Sequence, residues 1–341
     1  MARSRPAAAR STAPKPAGSP PRGKRPSPAT HRGDDRTERR TRPGPKRLKA
    51  EPQRHPKPPF PEQHQPKPGI ESKITPRPRY LAPNYKAAGK LEGLAALITG
   101  GDSGIGRAVA VLYAREGADV AITYLPAERT DAEETRDAVE AEGQRCLLLE
   151  GDLTDPSFCE ECVARTVGEL GRLDILVSNA AWQNRKADIE EVTEEEWDRT
   201  FKTNVYAYYR LAKAAIPHMK PGSAIIATSS ETAYAGPESL PDYAATKGAI
   251  NTLTMSLAKQ LIGRGIRVNA VAAGPVWTPL NIADQGTSPE YVAAFGEKTP
   301  IGRPAQPEEL APAYVFLASH ADSSYIAGEI IRVLGGESFG P

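Results

Sequence analysis

The 341-residue chain has few cysteines and no long apolar run. Its three cysteines, Cys146, Cys159 and Cys162, are too few for the disulfide framework of a small secreted domain. Cys159 and Cys162 have the spacing of a metal-binding pair, but a structural zinc site needs four ligands and the chain has no second pair. We therefore expect free thiols and no metal site. No apolar stretch approaches the ~20 residues of a membrane-spanning helix, so we expect a cytoplasmic protein without membrane contact.

The first 68 residues are poor in acidic and aromatic residues. They hold 18 Lys and Arg but 5 Asp and Glu, 16 of the chain's 33 prolines, and Phe60 as their only aromatic residue. Such a segment has too little apolar surface to offset its ordering entropy, which predicts a disordered tail over 1–68. The rest of the chain is acidic, so the tail is either a solvated extension or a contact surface for nucleic acid or another polyanion.

Two further segments follow the tail. Over 69–92 the chain is still spaced by prolines but gains Ile, Tyr and Leu, which predicts an extended arm on a folded surface. Over 93–341, short apolar runs such as "LAALITG" and "ADVAITYL" alternate with amphipathic helical stretches. Buried strands alternating with helices indicate a parallel sheet covered on both faces. We predict an α/β fold, a single doubly wound Rossmann domain of about seven parallel strands.

A glycine-rich turn, "LITGGDSGIGRAVA", links the first predicted strand to the first helix. The spacing fits neither the G-x-G-x-x-G form nor a P-loop. Glycines nevertheless let backbone N–H groups approach a pyrophosphate at a helix N-terminus, where the helix dipole favours negative charge. We therefore predict a dinucleotide site here, formed by Gly100, Asp102, Ser103, Gly104, Ile105 and Gly106.

The sequence leaves the choice between NAD and NADP open. In dinucleotide folds an acid at the end of the second strand often binds the adenosine ribose, but here Tyr124 and Leu125 stand in its place. The missing acid, with Arg107 and Arg129 nearby, permits a 2′-phosphate. Asp102 in the turn is positioned to repel it.

Tyr243 and Lys247 lie four residues apart in a predicted helix over 242–262. They share one helical face. A lysine cation beside a phenol favours the phenolate and lowers its pKa from about 10. Such a phenol exchanges a proton with a carbonyl or alcohol oxygen while a hydride moves at carbon. This pattern predicts a hydride-transfer site.

The ordered motifs "TGGDSGIG", "GDLTD", "LDILVSNAA", "TNVY", "IIATSS", "YAATK" and "AAGPVWTP" resemble the short-chain dehydrogenase/reductase family from about Leu91 to Gly336. The arm and "WTPL" are similar to a glucose/ribitol-dehydrogenase-like subgroup. Three residues depart from the family pattern, namely Ser178, Ala181 and Ala273. All three are small and leave the Tyr–Lys pair intact.

The resemblance implies a role for each matched residue. Tyr243 is the expected acid/base, Lys247 its partner, Ser230 the polarising hydroxyl and Asn204 the support of the lysine through a water. Cofactor contacts are expected from Tyr124, Leu125, Asp152, Leu153, Asn179, Ala180, Ala181, Tyr243, Lys247, Pro275, Val276 and Thr278. Substrate contacts are expected from Ser230, Tyr243, Trp182 and Glu231, and Tyr234 and Trp277 also flank the motifs.

The favoured function is an NAD(P)-dependent oxidoreductase acting on a secondary alcohol or carbonyl in a sugar, polyol or aldehyde. An enoyl reductase is a second enzyme class, but the resemblance implies wider Tyr–Lys spacing there. The alternative from another class is an NAD(P)H-sensing binding protein whose basic tail engages nucleic acid. The family also implies a homodimer or homotetramer built on the helices over 193–219 and 242–262.

Overall fold

Seven parallel strands form one sheet in the computed structural model, which describes residues 55–339. The strand order is β3-β2-β1-β4-β5-β6-β7, and every pairing is parallel. This order confirms the predicted doubly wound Rossmann fold. The strands are β1 Ala95–Ile98, β2 Asp119–Tyr124, β3 Cys146–Glu150, β4 Ile175–Ser178, β5 Ala224–Ser230, β6 Arg267–Ala273 and β7 Ile330–Val333.

Helices connect the strands and cover both faces of the sheet. The α-helices are α1 Gly104–Arg115, α2 Arg129–Ala141, α3 Pro156–Leu170, α4 Glu194–Phe201, α5 Ala207–Ala215, α6 Thr232–Ala235, α7 Pro241–Leu261, α8 Pro279–Ile282, α9 Pro289–Ala293, α10 Pro307–Ala318 and α11 His320–Ser323. Short 3₁₀ helices span Glu71–Lys73, Pro126–Glu128, Ile189–Glu191 and Ile262–Arg264.

The strand residues divide between two apolar clusters. Ala96 and Ile98 of β1 pack with α1 and α10, whereas Ala95 and Leu97 pack with α3, α5 and α7. Successive strand side chains point to opposite faces, so a strand apolar throughout needs helices on both sides. The cores therefore lie above and below the sheet.

Strands β2 and β3 lie on one side of β1, and strands β4 to β7 lie on its other side, so the strand order reverses between β1 and β4. β1 pairs with β2 on one side and with β4 on the other. The loops that leave β1 and β4 thus diverge, which opens a crevice at the carboxyl ends of these strands. This crevice is the place where doubly wound sheets bind ligands.

The N-terminal arm packs on the body from residue 55 onward. Phe60 is buried, its ring lies 4.2 Å from that of Trp277, and its N–H donates to the carbonyl of Ala293 over 2.8 Å. The predicted tail boundary at residue 68 is therefore wrong for residues 55–68. Composition could not reveal that Phe60 has an apolar pocket to enter. The expected disordered tail otherwise falls on residues 1–54, which lie outside the described residues.

The helical region predicted over 193–219 contains a break. A π-helical segment, Lys202–Tyr206, joins α4 to α5, and Asn204 lies at its centre. A π-helix changes the backbone bonding from i→i+4 to i→i+5 and occurs frequently at functional sites. The helix predicted over 242–262 is confirmed as α7.

The cysteines are free thiols, and Cys159 and Cys162 are buried on α3. Within residues 55–339, no three His, Cys, Asp or Glu side chains are grouped so as to hold a metal ion. None of the helices described there has the length and apolarity needed to cross a membrane.

Candidate active site

A cavity of about 480 Å³ lies along the carboxyl ends of the central strands. The β1–α1 turn, the ends of β4, β5 and β6, and the N-terminus of α7 form its walls. Lys67 and Pro68 of the arm also line it. The crevice expected from the sheet topology is therefore present as a pocket to which the arm contributes.

The glycine turn approaches its neighbours too closely for side chains. A Cβ on Gly106 would lie 2.0 Å from the carbonyl oxygen of Gly100, and Gly104 has φ +52°. The Nδ2 of Asn179, after β4, donates to the carbonyls of Thr99 and Gly100 over 3.1 and 3.2 Å. The turn is thus held against β4 with the N-terminus of α1 at the cavity wall.

Most of the predicted cofactor residues line this one cavity. Gly106 does not, because it packs behind the turn against Gly100. The lining members are Gly100, Asp102, Ser103, Gly104, Ile105, Tyr124, Leu125, Asp152, Leu153, Asn179, Ala180, Ala181, Tyr243, Lys247, Pro275, Val276 and Thr278.

Tyr243, Lys247 and Ser230 meet at the other end of the cavity. Ser230 ends β5 and lines the cavity together with Tyr243 of α7. The Nζ of Lys247 lies 5.1 Å from the centre of the Tyr243 ring and donates to the carbonyl of Thr228 over 2.8 Å. The i, i+4 spacing and the end of β5 therefore bring three of the four predicted catalytic residues together.

Burial shifts the pKa values of this pair toward the neutral forms. It raises the pKa of Tyr243 above its usual value, opposed by the nearby hydroxyl of Ser230 and the charge of Arg185. It lowers the pKa of Lys247 to about 7. Desolvation is the largest cause of the shift at each of the two residues, and the expected lowering of the Tyr243 pKa by Lys247 stays a prediction.

Asn204 lies behind the catalytic residues and does not line the cavity. Its Oδ1 accepts from the N–H of Trp182 over 2.8 Å, and its Nδ2 donates to the carbonyl of Trp182 and to Thr246 Oγ1 over 3.0 Å each. Its side chain thus ties the π-helical segment to α7 and to the loop after β4.

The predicted substrate residues divide into two groups. Trp182 and Glu231 line the cavity, and burial raises the pKa of Glu231 to about 7. Tyr234 and Trp277 do not line it. Tyr234 is partly exposed and stacks on Phe339, whereas Trp277 is fully buried against Phe60.

Sequence reasoning missed several residues at this end. Arg185 lies over the ring of Tyr291 and forms an ion pair with the buried Asp284. Lys67 donates to the carbonyl of Gln183, and its Nζ lies 5.0 Å from the centre of the Trp182 ring. Only tertiary structure unites these residues, since Lys67 and Gln183 are 116 positions apart. The "WQNR" run after "SNAA" was the one available signal.

The fold and this site place the chain in a known class of enzymes. A family model described as enoyl-(acyl carrier protein) reductase, a short-chain dehydrogenase/reductase family, matches residues 100–338. Because the match spans more than half of the chain, the protein belongs to the short-chain dehydrogenase/reductase family.

Known proteins are similar to this chain, in sequence or in structure, over most of its length. The general stress protein 39 of Bacillus subtilis is 56% identical over 79% of this chain and 93% of its own length. A glucose and ribitol dehydrogenase of Daucus carota is 45% identical over 81% of this chain and 96% of its own length. The crystal structure of a Burkholderia cenocepacia short-chain dehydrogenase in complex with NADP has a TM-score of 0.67 and 33% identity, covering 72% of this chain and 98% of that one.

Proposed function

We propose that the protein is an NAD(P)-dependent oxidoreductase that transfers a hydride between nicotinamide and a secondary alcohol or carbonyl. The carrying observation is that Tyr243 and Ser230 both line the cavity wall, with Lys247 one helical turn further along α7 and its Nζ 5.1 Å from the centre of the Tyr243 ring. Hydroxyl groups so placed suit proton exchange with a substrate oxygen. The four-residue Tyr–Lys spacing favours this chemistry over the enoyl reduction that the family model's description names.

The residues present fit a nicotinamide dinucleotide. The close Gly100–Gly106 approach brings the turn and the N-terminus of α1 to the cavity wall, which suits a pyrophosphate. Asp102 holds a buried Oδ2 without a hydrogen-bond partner, which suits a hydroxyl donor. Asp152 and Leu153 would hold the adenine, and Asn179–Ala181 with Pro275, Val276 and Thr278 would hold the nicotinamide half.

Each catalytic side chain has a separate task in this proposal. The cofactor supplies or accepts the hydride. Tyr243 gives its hydroxyl proton to the substrate oxygen in reduction and takes it back in oxidation. Ser230 holds that oxygen beside the phenol, and Lys247 carries or releases charge next to it, since its pKa lies near neutrality. Asn204 is a positioning residue, because it contacts α7 rather than the cavity.

We propose that the substrate is a polar molecule, either polyhydroxylated or an aldehyde, because polar and aromatic side chains line the cavity near Tyr243. Glu231 and Arg185 offer an acceptor and a donor beside Tyr243, and Trp182 offers an aromatic face. Sugars and polyols present alternating hydroxyls and C–H faces that match such a wall. The name of the carrot relative agrees with this class. The substrate class can be tested by measuring turnover of a panel of sugars, polyols and aldehydes, each with NAD(H) and with NADP(H).

The decisive test of the chemistry is Tyr243→Phe. We expect turnover to fall by about 10² or more while nucleotide binding stays within a factor of about three, because only the proton donor is removed. Tyr234→Phe is the matched control, since Tyr234 lies outside the cavity near the same helix. Turnover like that of the wild type in Tyr243→Phe would refute Tyr243 as the acid/base.

We further propose self-association through the faces of α4, α5 and α7. Trp197, Tyr209 and Met255 on these helices, and Tyr206 on the π-helical segment between α4 and α5, are all at least 40% exposed. Aromatic residues exposed on adjoining helices are typical of an interface. The alternative of a nucleotide-sensing protein with a nucleic-acid-binding tail depends on residues outside the described range, and nothing in the site favours it.

A further inference from the structure

Lys67 of the arm places a positive charge at the wall of the cavity. The residue is half-buried and lines the cavity. Its Nζ donates to the carbonyl of Gln183 and lies 5.0 Å from the centre of the Trp182 ring. An ammonium group has three donor hydrogens, so one bond to a carbonyl does not satisfy it. The ammonium is therefore held in one place while it can still donate to a ligand.

The carboxylate of Asp284 is engaged with residues other than Lys67. Asp284 is fully buried, and its Oδ1 accepts from the backbone N–H of Arg185 over 2.8 Å. Its Oδ2 accepts from Gln183 Nε2 over 2.9 Å and forms the ion pair with the guanidinium of Arg185. Both oxygens are thus bonded, and the charge that Asp284 offsets most directly is that of Arg185.

The positive charge of Lys67 has no close counter-ion in the protein. Burial lowers the pKa of Lys67, and the charges of Asp284 and Glu196 oppose this shift. Glu196 forms its ion pair with Lys186, over 2.8 Å. Within the described part of the chain, Lys67 itself forms no ion pair. A desolvated charge without a close counter-ion is costly, and a bound anion reduces that cost.

Two hydrogen bonds connect the neighbour of Lys67 with the helix that carries Tyr243. The N–H of Trp182 donates to Asn204 Oδ1 over 2.8 Å, and Asn204 Nδ2 donates to Thr246 Oγ1 over 3.0 Å. Thr246 lies on α7, three residues after Tyr243. Trp182 lines the cavity as well, so its side chain lies between the ammonium group and the rest of that wall. The charge of Lys67 therefore belongs to the wall that the loop after β4 and α7 form together.

We propose that Lys67 binds an anionic group of the substrate, a carboxylate or a phosphate, and that the protein acts on alcohols or aldehydes carrying such a group. This inference rests on the proposed function and narrows its substrate class. A lysine ammonium binds carboxylate and phosphate oxygens as a compact point charge, through charge-assisted hydrogen bonds. The ring of Trp182 offers an apolar face to the carbon skeleton between the anion and the reacting carbon. The arm thus supplies a specificity-determining residue.

Turnover of matched neutral and anionic compounds tests the proposal. Glucose, glucose 6-phosphate and glucuronate differ only at C6, and glyceraldehyde with its 3-phosphate extends the comparison to a shorter chain. Each compound is assayed with NAD(H) and with NADP(H). We expect kcat/KM to be at least about tenfold higher for an anionic compound than for its neutral analogue, and to fall with rising salt concentration. Whether the phosphates or glucuronate show this preference identifies the anion.

The variants separate the charge of Lys67 from its structural contacts. Lys67→Gln can still donate to the carbonyl of Gln183 but has no charge, so the anionic-to-neutral ratio is expected to fall to within about threefold of one. Turnover of the neutral analogue and nucleotide binding should stay within about threefold of the wild type, and Lys67→Arg should retain most of the ratio. Lys73→Gln is the matched control, because Lys73 is exposed on the same arm and lies outside the cavity. It should keep the wild-type ratio.

Three results would overturn the proposal: equal kcat/KM of the wild type for neutral and anionic compounds, an unchanged ratio in Lys67→Gln, or an equal loss for all substrates in that variant. The third result would indicate a purely structural role for Lys67. Nucleotide binding without turnover of any anionic compound would also overturn it. Absence of nucleotide binding, followed by nicotinamide fluorescence, would instead refute the proposed function itself. A circular-dichroism melt confirms that each variant is folded.

Discussion

Replacing Lys247 by Met is expected to stabilise the fold near neutral pH while it abolishes turnover. Lys247 is 1% exposed, and burial lowers its pKa from 10.5 to about 7. The unfolded chain holds this proton up to pH 10.5, whereas the folded protein releases it near pH 7. The unfolded state thus binds more protons throughout that window, so burial of Lys247 costs most below pH 7 and nothing above pH 10.5.

The magnitude follows from the size of the shift. One pKa unit is worth about 1.4 kcal/mol, so the buried amine costs about 4 kcal/mol at pH 7. Methionine has a similar length and no charge, but it loses the 2.8 Å hydrogen bond to the Thr228 carbonyl. That loss costs about 1–2 kcal/mol. The variant should therefore be more stable than the wild type by about 2–3 kcal/mol at pH 7 and slightly less stable at pH 10.5.

Urea unfolding at pH 7, 8.5 and 10, at one protein concentration, measures this difference. Every other titrating group is common to both proteins, so the difference in free energy of unfolding isolates Lys247. Lys259→Met, at an exposed position on the same helix, controls for helix propensity and surface charge. A stability difference that does not change with pH would refute the lowered pKa.

Two further predictions concern the arm and the assembly. Phe60→Ala should remove about 3 kcal/mol from the packing of the arm on Trp277, and it should therefore raise the rate of amide hydrogen exchange in α8 and α9 and increase KM. The control Leu81→Ala changes a residue that is 51% exposed on the same arm, so neither quantity should change. Unchanged hydrogen exchange in Phe60→Ala would contradict this prediction. Tyr209→Glu should lower the molecular mass measured by light scattering, because it places a charge on the proposed interface. The control Ile189→Glu, which is also at an exposed position, should leave the mass unchanged. A wild-type protein that is monomeric would refute the proposed interface.

The local patterns of the sequence were sufficient for the sheet and for the Tyr–Lys pair. Fully apolar runs alternating with amphipathic helices allow few arrangements, and the four-residue spacing of Tyr243 and Lys247 fixes one helical face before any tertiary contact is known. Glu128 was missed for a local reason. The short 3₁₀ helix Pro126–Glu128 follows β2, and Glu128, an acid outside the strand, lines the cavity.

The arm could not be read from composition, because its order depends on partners elsewhere in the chain. Glu71 accepts a hydrogen bond from the N–H of Gly104 and forms the ion pair with Arg107, so it joins the arm to the glycine turn. Gly69, with φ +87°, lies where a Cβ would be 2.9 Å from the Cβ of Ala283. The arm therefore contacts both the nucleotide turn and the loop after β6, two cavity walls that the sheet alone does not connect.

The coverage of the comparisons is consistent with the arm being a subgroup feature. The match to the carrot relative takes in 81% of this chain, about 276 residues, and so must begin by about residue 66 even if it runs to the last residue. The match to the Burkholderia structure takes in 72%, about 246 residues, roughly the length of the domain from 93 to 338. In this chain, Lys67 of the arm lines the cavity beside Trp182 and Gln183. Substrate selection in this protein is therefore expected to depend on residues that lie before the Rossmann domain begins.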